Sequence, residues 1–284
     1  MVRPALEFLT PDLPFLFELK DCLSVIVPVY NEVDHVDELI QAVRNSPVEK
    51  EIIIVDDGST DGTREKLRGM GPGIVLVFHQ MNCGKGAAIR TGLRYARGEY
   101  VLIQDADLEY DPQDYPRLLQ PIREGNANVV YGMRPDRPER GLRFYLGAKF
   151  LTHLANLLYG CGIHDEATCY KVFRRATLSR LELTCRRFEF CPEVTAKLSR
   201  AGEKIVEVPI SYEPRMKDAG KKIRSSDGWM AIWTLLRLRF ARRSGIFASA
   251  TQSRPPFPVS FVQLAGESRA ADTNLSVSKS ALVR

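Results

Sequence analysis

The chain has 284 residues, 44% hydrophobic and 26% charged, with a net charge of +5. That balance excludes a disordered or fibrous chain and provides for one large core with a tail. No apolar run approaches the roughly 18 residues of a membrane-spanning helix, and the opening residues up to Lys20 lack the pattern of a signal peptide. Six cysteines (Cys22, Cys83, Cys161, Cys169, Cys185, Cys191) contain no Cys-x-x-Cys pair, which fits a reduced compartment without structural zinc.

Residues 1–22 read as an N-terminal extension. Leu23 to Val29 is an apolar, β-branched run predicting a strand that stops at Tyr30-Asn31-Glu32. Val36, Leu39, Ile40 and Val43 have helical spacing within 33–43. Glu51 to Val55 predicts a second strand, ending in Asp56-Asp57-Gly58-Ser59, and Thr60 or Asp61 suits the N-cap of the next helix. Ile74 to His79 predicts a third strand, followed by Asn82-Cys83-Gly84-Lys85-Gly86 and a helix from Ala87 to Ala96. The fourth strand runs through Val101-Leu102-Ile103 into Gln104-Asp105-Ala106-Asp107-Leu108-Glu109. Nearly all-apolar strands alternating with helices predict an α/β fold with a mostly parallel sheet covered on both faces. Ligands of such sheets lie beyond the carboxyl ends of the strands, where each of these polar motifs falls.

Asn128 to Gly132 predicts a further strand, leading into a turn-rich stretch with Arg134, Arg137, Arg140 and Arg143. Helices are expected over Phe144–Tyr159 and Pro192–Ala201, strands over Tyr170–Phe173 and Ile205–Ile210, and an apolar segment with basic punctuation over Trp229–Phe240. Beyond Ala241 the composition turns to Ser, Ala, Pro, Arg and Gln. Residues 241–284 therefore read as a disordered tail, in which Phe257 to Leu264 could dock as a short strand.

Three carboxylates spaced two apart dominate the chemistry. Strand alternation would turn Asp105, Asp107 and Glu109 to one side, where their repulsion calls for a hard cation, Mg²⁺ or Mn²⁺, that also neutralises diphosphate oxygens. A solvated acidic turn is the plain alternative. The Gly84-Lys85-Gly86 turn would let backbone approach an anion while Lys85 supplies charge, or is an ordinary strand-to-helix turn. Asp56 and Asp57 could bond a ribose or base, or only shape a turn. Asp165 could deprotonate or position a nucleophile, whereas His164 reads as structural or solvated. From Tyr212 to Lys222 a Gly-containing loop gathers cations suited to clamping a diphosphate.

Together these motifs resemble glycosyltransferase family 2, in particular its branch of polyprenyl-phosphate sugar synthases, such as those that make dolichyl-phosphate mannose. The resemblance rests on Val27-Pro28-Val29-Tyr30-Asn31-Glu32, on Val55 to Thr63, on Asn82-x-Gly84-Lys85-Gly86, and on Gln104 to Glu109. Tyr170-Lys171-Val172-Phe173-Arg174, Phe188-Glu189-Phe190, Pro192-Glu193 and Arg215 with Gly220-Lys221-Lys222 continue it, from about Leu23 to Phe240.

The resemblance implies a single GT-A domain over 23–240, with a nucleotide-sugar half (23–132) and an acceptor half (133–240). Pro28, Tyr30, Glu32, Val55 and Asp57 would line the nucleoside pocket, with Lys85 and Ala106 also on the donor. Asp105, Asp107 and Glu109 would hold Mg²⁺ or Mn²⁺. Arg215 and Lys221 would close over the phosphates, and Arg134 with Arg137 would meet the acceptor phosphate. The implied reaction moves a hexose from a UDP- or GDP-sugar to a dolichyl or undecaprenyl phosphate with inversion. Such an acceptor is already ionised, so Asp165 would position rather than act as an obligatory base.

Implied partners are the nucleotide sugar, the lipid phosphate and a membrane surface met peripherally on its cytoplasmic face, with a membrane-protein partner open and nucleic acid not among them. The Phe144–Tyr159 and Trp229–Phe240 segments are the candidate membrane surface, or are simply core helices. Transfer to a soluble glycan and a catalytically silent nucleotide-sugar-binding subunit remain as alternatives.

Overall fold

The computed structural model describes residues 18–135, 142–214, 225–242, 246–247 and 259–264. Its first half alternates β1 (Leu19–Val29), α1 (Val36–Asn45), β2 (Lys50–Asp56), α2 (Thr63–Arg68), β3 (Ile74–His79), α3 (Lys85–Leu93) and β4 (Gly98–Ile103). After a 3₁₀ turn at Pro112–Asp114 come α4 (Tyr115–Arg123), β5 (Val129–Met133), α5 (Leu142–Tyr159), β6 (Lys171–Arg174) and α6 (Arg175–Ser179). The chain continues through α7 (Phe190–Ala201), β7 (Ile205–Pro209), α8 (Ser225–Phe240) and β8 (Val259–Leu264).

These strands form one eight-stranded sheet in the order β7-β5-β6-β4-β1-β2-β3-β8. β1 runs parallel to both β2 and β4, β2 parallel to β3, and β5 parallel to β7. β6 lies antiparallel between β4 and β5, and β8 is antiparallel on the β3 edge. The central strands are apolar on both faces because helices cover both. Leu23, Val25, Ile26 and Val27 of β1 are fully buried, as are Ile53, Ile54 and Val55 of β2. α1 buries Val36, Leu39, Ile40 and Val43, each contributing roughly 1.5–3 kcal/mol on leaving water.

Two segments depart from the sequence expectation. β1 begins at Leu19, so Leu19 to Cys22 belong to the sheet rather than to an N-terminal extension. Leu19 N–H bonds the Arg97 carbonyl at 2.9 Å, and Asp21 N–H bonds the Glu99 carboxylate at 3.1 Å. Within the expected tail, β8 pairs with β3 in register from Val75 opposite Leu264 to His79 opposite Val259, which bears out the docking strand. Ile246 is fully buried, and its carbonyl accepts from Glu182 N–H at 2.9 Å. A composition averaged over the whole tail hides these short apolar groups.

α5, α7 and α8 pack on one another around Ala155, Ala196, Leu235 and Leu238. Inside this layer Lys197 and Glu193 form an ion pair of 2.8 Å with both side chains 1% exposed. Glu193 also accepts from Thr184 N–H (2.9 Å) and Cys185 N–H (2.7 Å), fixing the loop before α7. Burial alone would raise the Glu193 carboxyl, but Lys197 and these donors hold it below the usual range. Replacing one partner strands the other charge, so Lys197→Met is expected to cost about 3–5 kcal/mol. Urea denaturation should show a lowered midpoint with an unchanged slope.

Candidate active site

Parallel pairing brings the carboxyl ends of β1, β2 and β4 together. Asp57 N–H bonds the Val29 carbonyl (2.8 Å) and Gln104 N–H bonds that of Ile26 (2.9 Å), so the loops beginning at Tyr30, Asp57 and Asp105 share one rim. The first two are knitted together. Asn31 N–H donates to Ser59 Oγ, Thr60 N–H to Asn31 Oδ1, and Glu32 N–H to Thr63 Oγ1, at 2.9–3.0 Å. The N-cap of α2 is Gly62, at φ +100°, rather than Thr60 or Asp61, and Asp61 before it accepts from both the amide (3.0 Å) and the hydroxyl (2.6 Å) of Thr63. Pro28 and Tyr30 are half-buried on this rim and Glu32 is buried. Val55 is fully buried, its side chain against Gly92 of α3, which leaves only its backbone for a nucleoside.

Asp56 and Asp57 serve the loops. Asp56 accepts from Gly58 N–H (3.2 Å), Ser59 N–H (3.3 Å) and Arg64 Nε (2.6 Å). Asp57, 3% exposed, meets His79 Nδ1 and Cys83 N–H at 2.8 Å and Gly84 N–H at 2.7 Å. Asp57, His79 and Cys83 lie close enough to suggest a metal group. Both imidazole nitrogens are nonetheless hydrogen-bonded, the second to Thr91 at 2.9 Å. The trio acts as a brace between β2, β3 and α3.

The glycine turn does not open toward an anion. Gly86 N–H and Ala87 N–H, the first free amides of α3, donate to the carbonyls of Arg187 and Arg186 at 2.9 Å. Gly84 has φ +98°, and a Cβ there would collide with the Arg186 carbonyl. The turn thus admits a second loop of the same chain. Lys85 alone faces the site, where its ammonium pairs with the Asp105 carboxylate and lies 3.5 Å from Cys169 Sγ.

The acidic motif forms a turn rather than a strand end. β4 stops at Ile103, Leu108 takes φ +58°, and Asp107 Oδ1 accepts from Glu109 N–H at 3.2 Å. Strand alternation is therefore not what gathers the carboxylates. Burial, reinforced by the charges of Asp105 and Glu109, pushes the Asp107 carboxyl up to about 7. Ala106 between them is buried.

A set of tyrosines, not recognised from sequence, holds this turn. The fully buried Gln104 Oε1 accepts from Tyr115 OH (2.6 Å) and Tyr170 OH (2.7 Å), while its Nε2 donates to the Asp105 carbonyl (3.0 Å). Tyr110 OH accepts from Cys169 N–H (3.0 Å), and Tyr212 OH donates to Glu109 Oε2 (2.8 Å). The signal available in sequence was Gln104 itself, a polar residue between an apolar strand and an acidic turn.

Arg134 and Asp165 meet in a two-pronged pair, Nε to Oδ2 at 2.7 Å and Nη2 to Oδ1 at 2.8 Å. Burial would raise the Asp165 carboxyl, but the Arg134 bonds outweigh it and hold it below the usual range, so it is a poor base. His164 is exposed and pairs with Glu207 at 2.7 Å. Arg137, Arg215 and Lys221 lie outside the described residues.

Residues 24–181 match the model of glycosyl transferase family 2. A polyprenol monophosphomannose synthase of Mycolicibacterium smegmatis is 31% identical over 240 residues, covering 78% of this chain and 90% of that one. The chain belongs to glycosyltransferase family 2. A dodecaprenyl-phosphate galacturonate synthase of Rhizobium johnstonii is 29% identical, over 65% of this chain and 58% of that one. The chain spans only 54–64% of the length of several curated relatives. Among solved structures, glucosyl-3-phosphoglycerate synthase of Mycobacterium tuberculosis, in complex with Mn²⁺, UDP and glucosyl-3-phosphoglycerate, superposes with a TM-score of 0.63. It is 22% identical, with 79% of this chain and 82% of that chain covered, so it supports the GT-A-like fold.

Asp105, Asp107 and Glu109 put oxygen donors on one turn beside the Lys85 ammonium, a donor type that suits a hard divalent cation. Among the described residues, however, their carboxylates do not converge on one point as the ligand atoms of Asp57, His79 and Cys83 do. The Asp107 carboxyl is raised from its ordinary value near 4 in the fold. Its contribution to stability is therefore present at low pH and lost as pH rises through about 7. A cation replacing the proton restores it. Mn²⁺ should raise the melting temperature more at pH 8 than at pH 6, and equal shifts would show that it binds elsewhere.

Proposed function

We propose that the protein transfers a hexose from a nucleotide-diphosphate sugar to a polyprenyl phosphate, with inversion at the anomeric carbon. The observation that carries this reading is the pairing of two unlike sites on one rim. A crowded carboxylate turn suits a metal diphosphate, and Tyr212 joins it to an arginine suited to a second phosphate. The names of the Mycolicibacterium and Rhizobium relatives support the lipid phosphate as acceptor.

In this reading Pro28, Tyr30, Glu32, Asp57 and the Val55 backbone border the nucleoside, with Ala106 beside the donor. Asp105, Asp107 and Glu109 would hold Mg²⁺ or Mn²⁺, which when bound neutralises the departing diphosphate. Lys85 adds a fixed positive charge there, and Arg215 with Lys221 would close from the loop. Arg134 receives the acceptor phosphate together with Arg137, and Asp165 keeps the guanidinium charged and oriented. An acceptor oxygen that is already ionised attacks the anomeric carbon, the bond to the nucleotide breaks, and no proton has to be removed. Asp165 therefore positions Arg134 without acting as a base.

The acceptor is met at a surface. Among the described residues no helix is long and apolar enough to cross a membrane. α8 buries Ala231, Leu235 and Leu238 on one stripe and exposes Trp229, Trp233, Leu236 and Phe240 on another. Beside it α5 exposes Leu146, Phe150 and Leu157, and Arg237, Arg239 and Arg242 flank the face. Exposed aromatics with basic flanks suit the surface of an anionic bilayer.

The primary experiment incubates the protein with Mn²⁺ or Mg²⁺, radiolabelled UDP- and GDP-sugars and a short polyprenyl phosphate. Metal-dependent label is expected in the organic phase. Label that remains in water with a soluble acceptor would overturn the lipid reading. Asp107→Ala should lower transfer by about 10²-fold or more without lowering the melting temperature at pH 8, and near-normal metal-dependent turnover would remove the site assignment. For the surface, Trp229→Ser/Trp233→Ser should reduce sedimentation with phosphatidylglycerol vesicles at unchanged melting temperature. Undiminished sedimentation would exclude this face.

A further inference from the structure

We infer that Tyr212 is a positioning residue that couples the metal turn to the acceptor arginine, so that filling one side tightens the other. The inference rests on the proposed two-phosphate site. One side chain makes both contacts. Its hydroxyl donates to Glu109 Oε2 at 2.8 Å, and its ring lies 5.1 Å from the Arg134 guanidinium carbon. The same Arg134 guanidinium is held by Asp165, and the Tyr212 ring is backed by Tyr110, with centroids 5.2 Å apart.

The backbone around Tyr212 is fixed without its side chain. Ser211 N–H donates to Asp114 Oδ2 (2.6 Å), Glu213 N–H to the Glu109 carbonyl (2.9 Å), and Ile210 N–H to the Met133 carbonyl (3.1 Å). Tyr212 thus stands on a fastened segment with its two ends in two subsites. When Glu109 turns toward a cation, the hydroxyl bonded to it follows and the ring shifts beneath Arg134. Because the same contact serves both ligands, the coupling must be reciprocal. Tyr212→Phe removes the hydroxyl and its interactions with Glu109 and Arg134 while keeping the ring, Tyr212→Leu removes both, and the three backbone bonds remain in each.

The test measures binding of Mn²⁺ with UDP by calorimetry, with and without farnesyl phosphate, alongside steady-state transfer and melting temperature. In the wild type each ligand should tighten the other about five- to twentyfold. Tyr212→Phe keeps the ring and loses the hydroxyl. It should bring the coupling to near one while the Kd of farnesyl phosphate measured without Mn²⁺ and UDP stays within about twofold. Tyr212→Leu removes the ring as well and should raise that Kd about tenfold, as expected for the loss of a cation–π contact. Absence of coupling in the wild type, or wild-type coupling in Tyr212→Phe, overturns the inference. Equal effects of both variants that track a lowered melting temperature overturn it too, since they mark a purely structural role. If the wild type binds Mn²⁺ with UDP but never farnesyl phosphate, the acceptor reading fails and the coupling fails with it. Intact wild-type binding of both ligands without mutual effect refutes the coupling alone.

Discussion

Mutual repulsion among Asp105, Asp107 and Glu109 is the constraint around which the rest of this rim is arranged. Three carboxylates on one short turn would spread apart if the backbone were free. Gln104 prevents this from below, with two phenols on its oxygen and its amide on the Asp105 carbonyl. Tyr212 holds Glu109 from the side, and the Lys85 ammonium offsets part of the charge at Asp105. The electrostatic cost is largest at Asp107, whose carboxyl titrates near neutrality. A cation bound here would draw Asp105 from Lys85 and turn Glu109 together with the Tyr212 hydroxyl.

Much of the framework was legible because buried parallel strands have a plain signature. Ile74–His79 has the same ends in sequence and structure, since every residue of it is apolar or buried and glycine precedes it. α1 follows from the spacing of Val36, Leu39, Ile40 and Val43. α4 was not assigned, and Pro116 and Pro121 explain why. The first sits in the opening turn, where no amide is needed, and the second lies inside the helix, where sequence reasoning expects a break.

The site was legible in its residue types more than in its geometry. Asp105, Asp107 and Glu109 do share a turn, but Leu108 in a left-handed conformation brings this about, and period-two reasoning has no means of anticipating it. Gly84 and Gly86 leave both an anion and an ordinary strand-to-helix turn open, because glycine reports only that something comes close. What comes close is the Arg186–Arg187 backbone. The tyrosine contacts join residues far apart in sequence, Gln104 with Tyr170 and Glu109 with Tyr212, and no local pattern encodes such pairs.

The approach of Arg186 and Arg187 to the start of α3 also bears on how the chain assembles. Those carbonyls satisfy two amides that α3 cannot satisfy itself, and they come from the far half of the sequence. Within the first half Asp57 already holds the Cys83 and Gly84 amides. The Gly86 and Ala87 amides find their carbonyls only in the segment before α7, which Glu193 and Lys197 fix in turn. The backbone contact thus ties the third βα unit to the chain before α7.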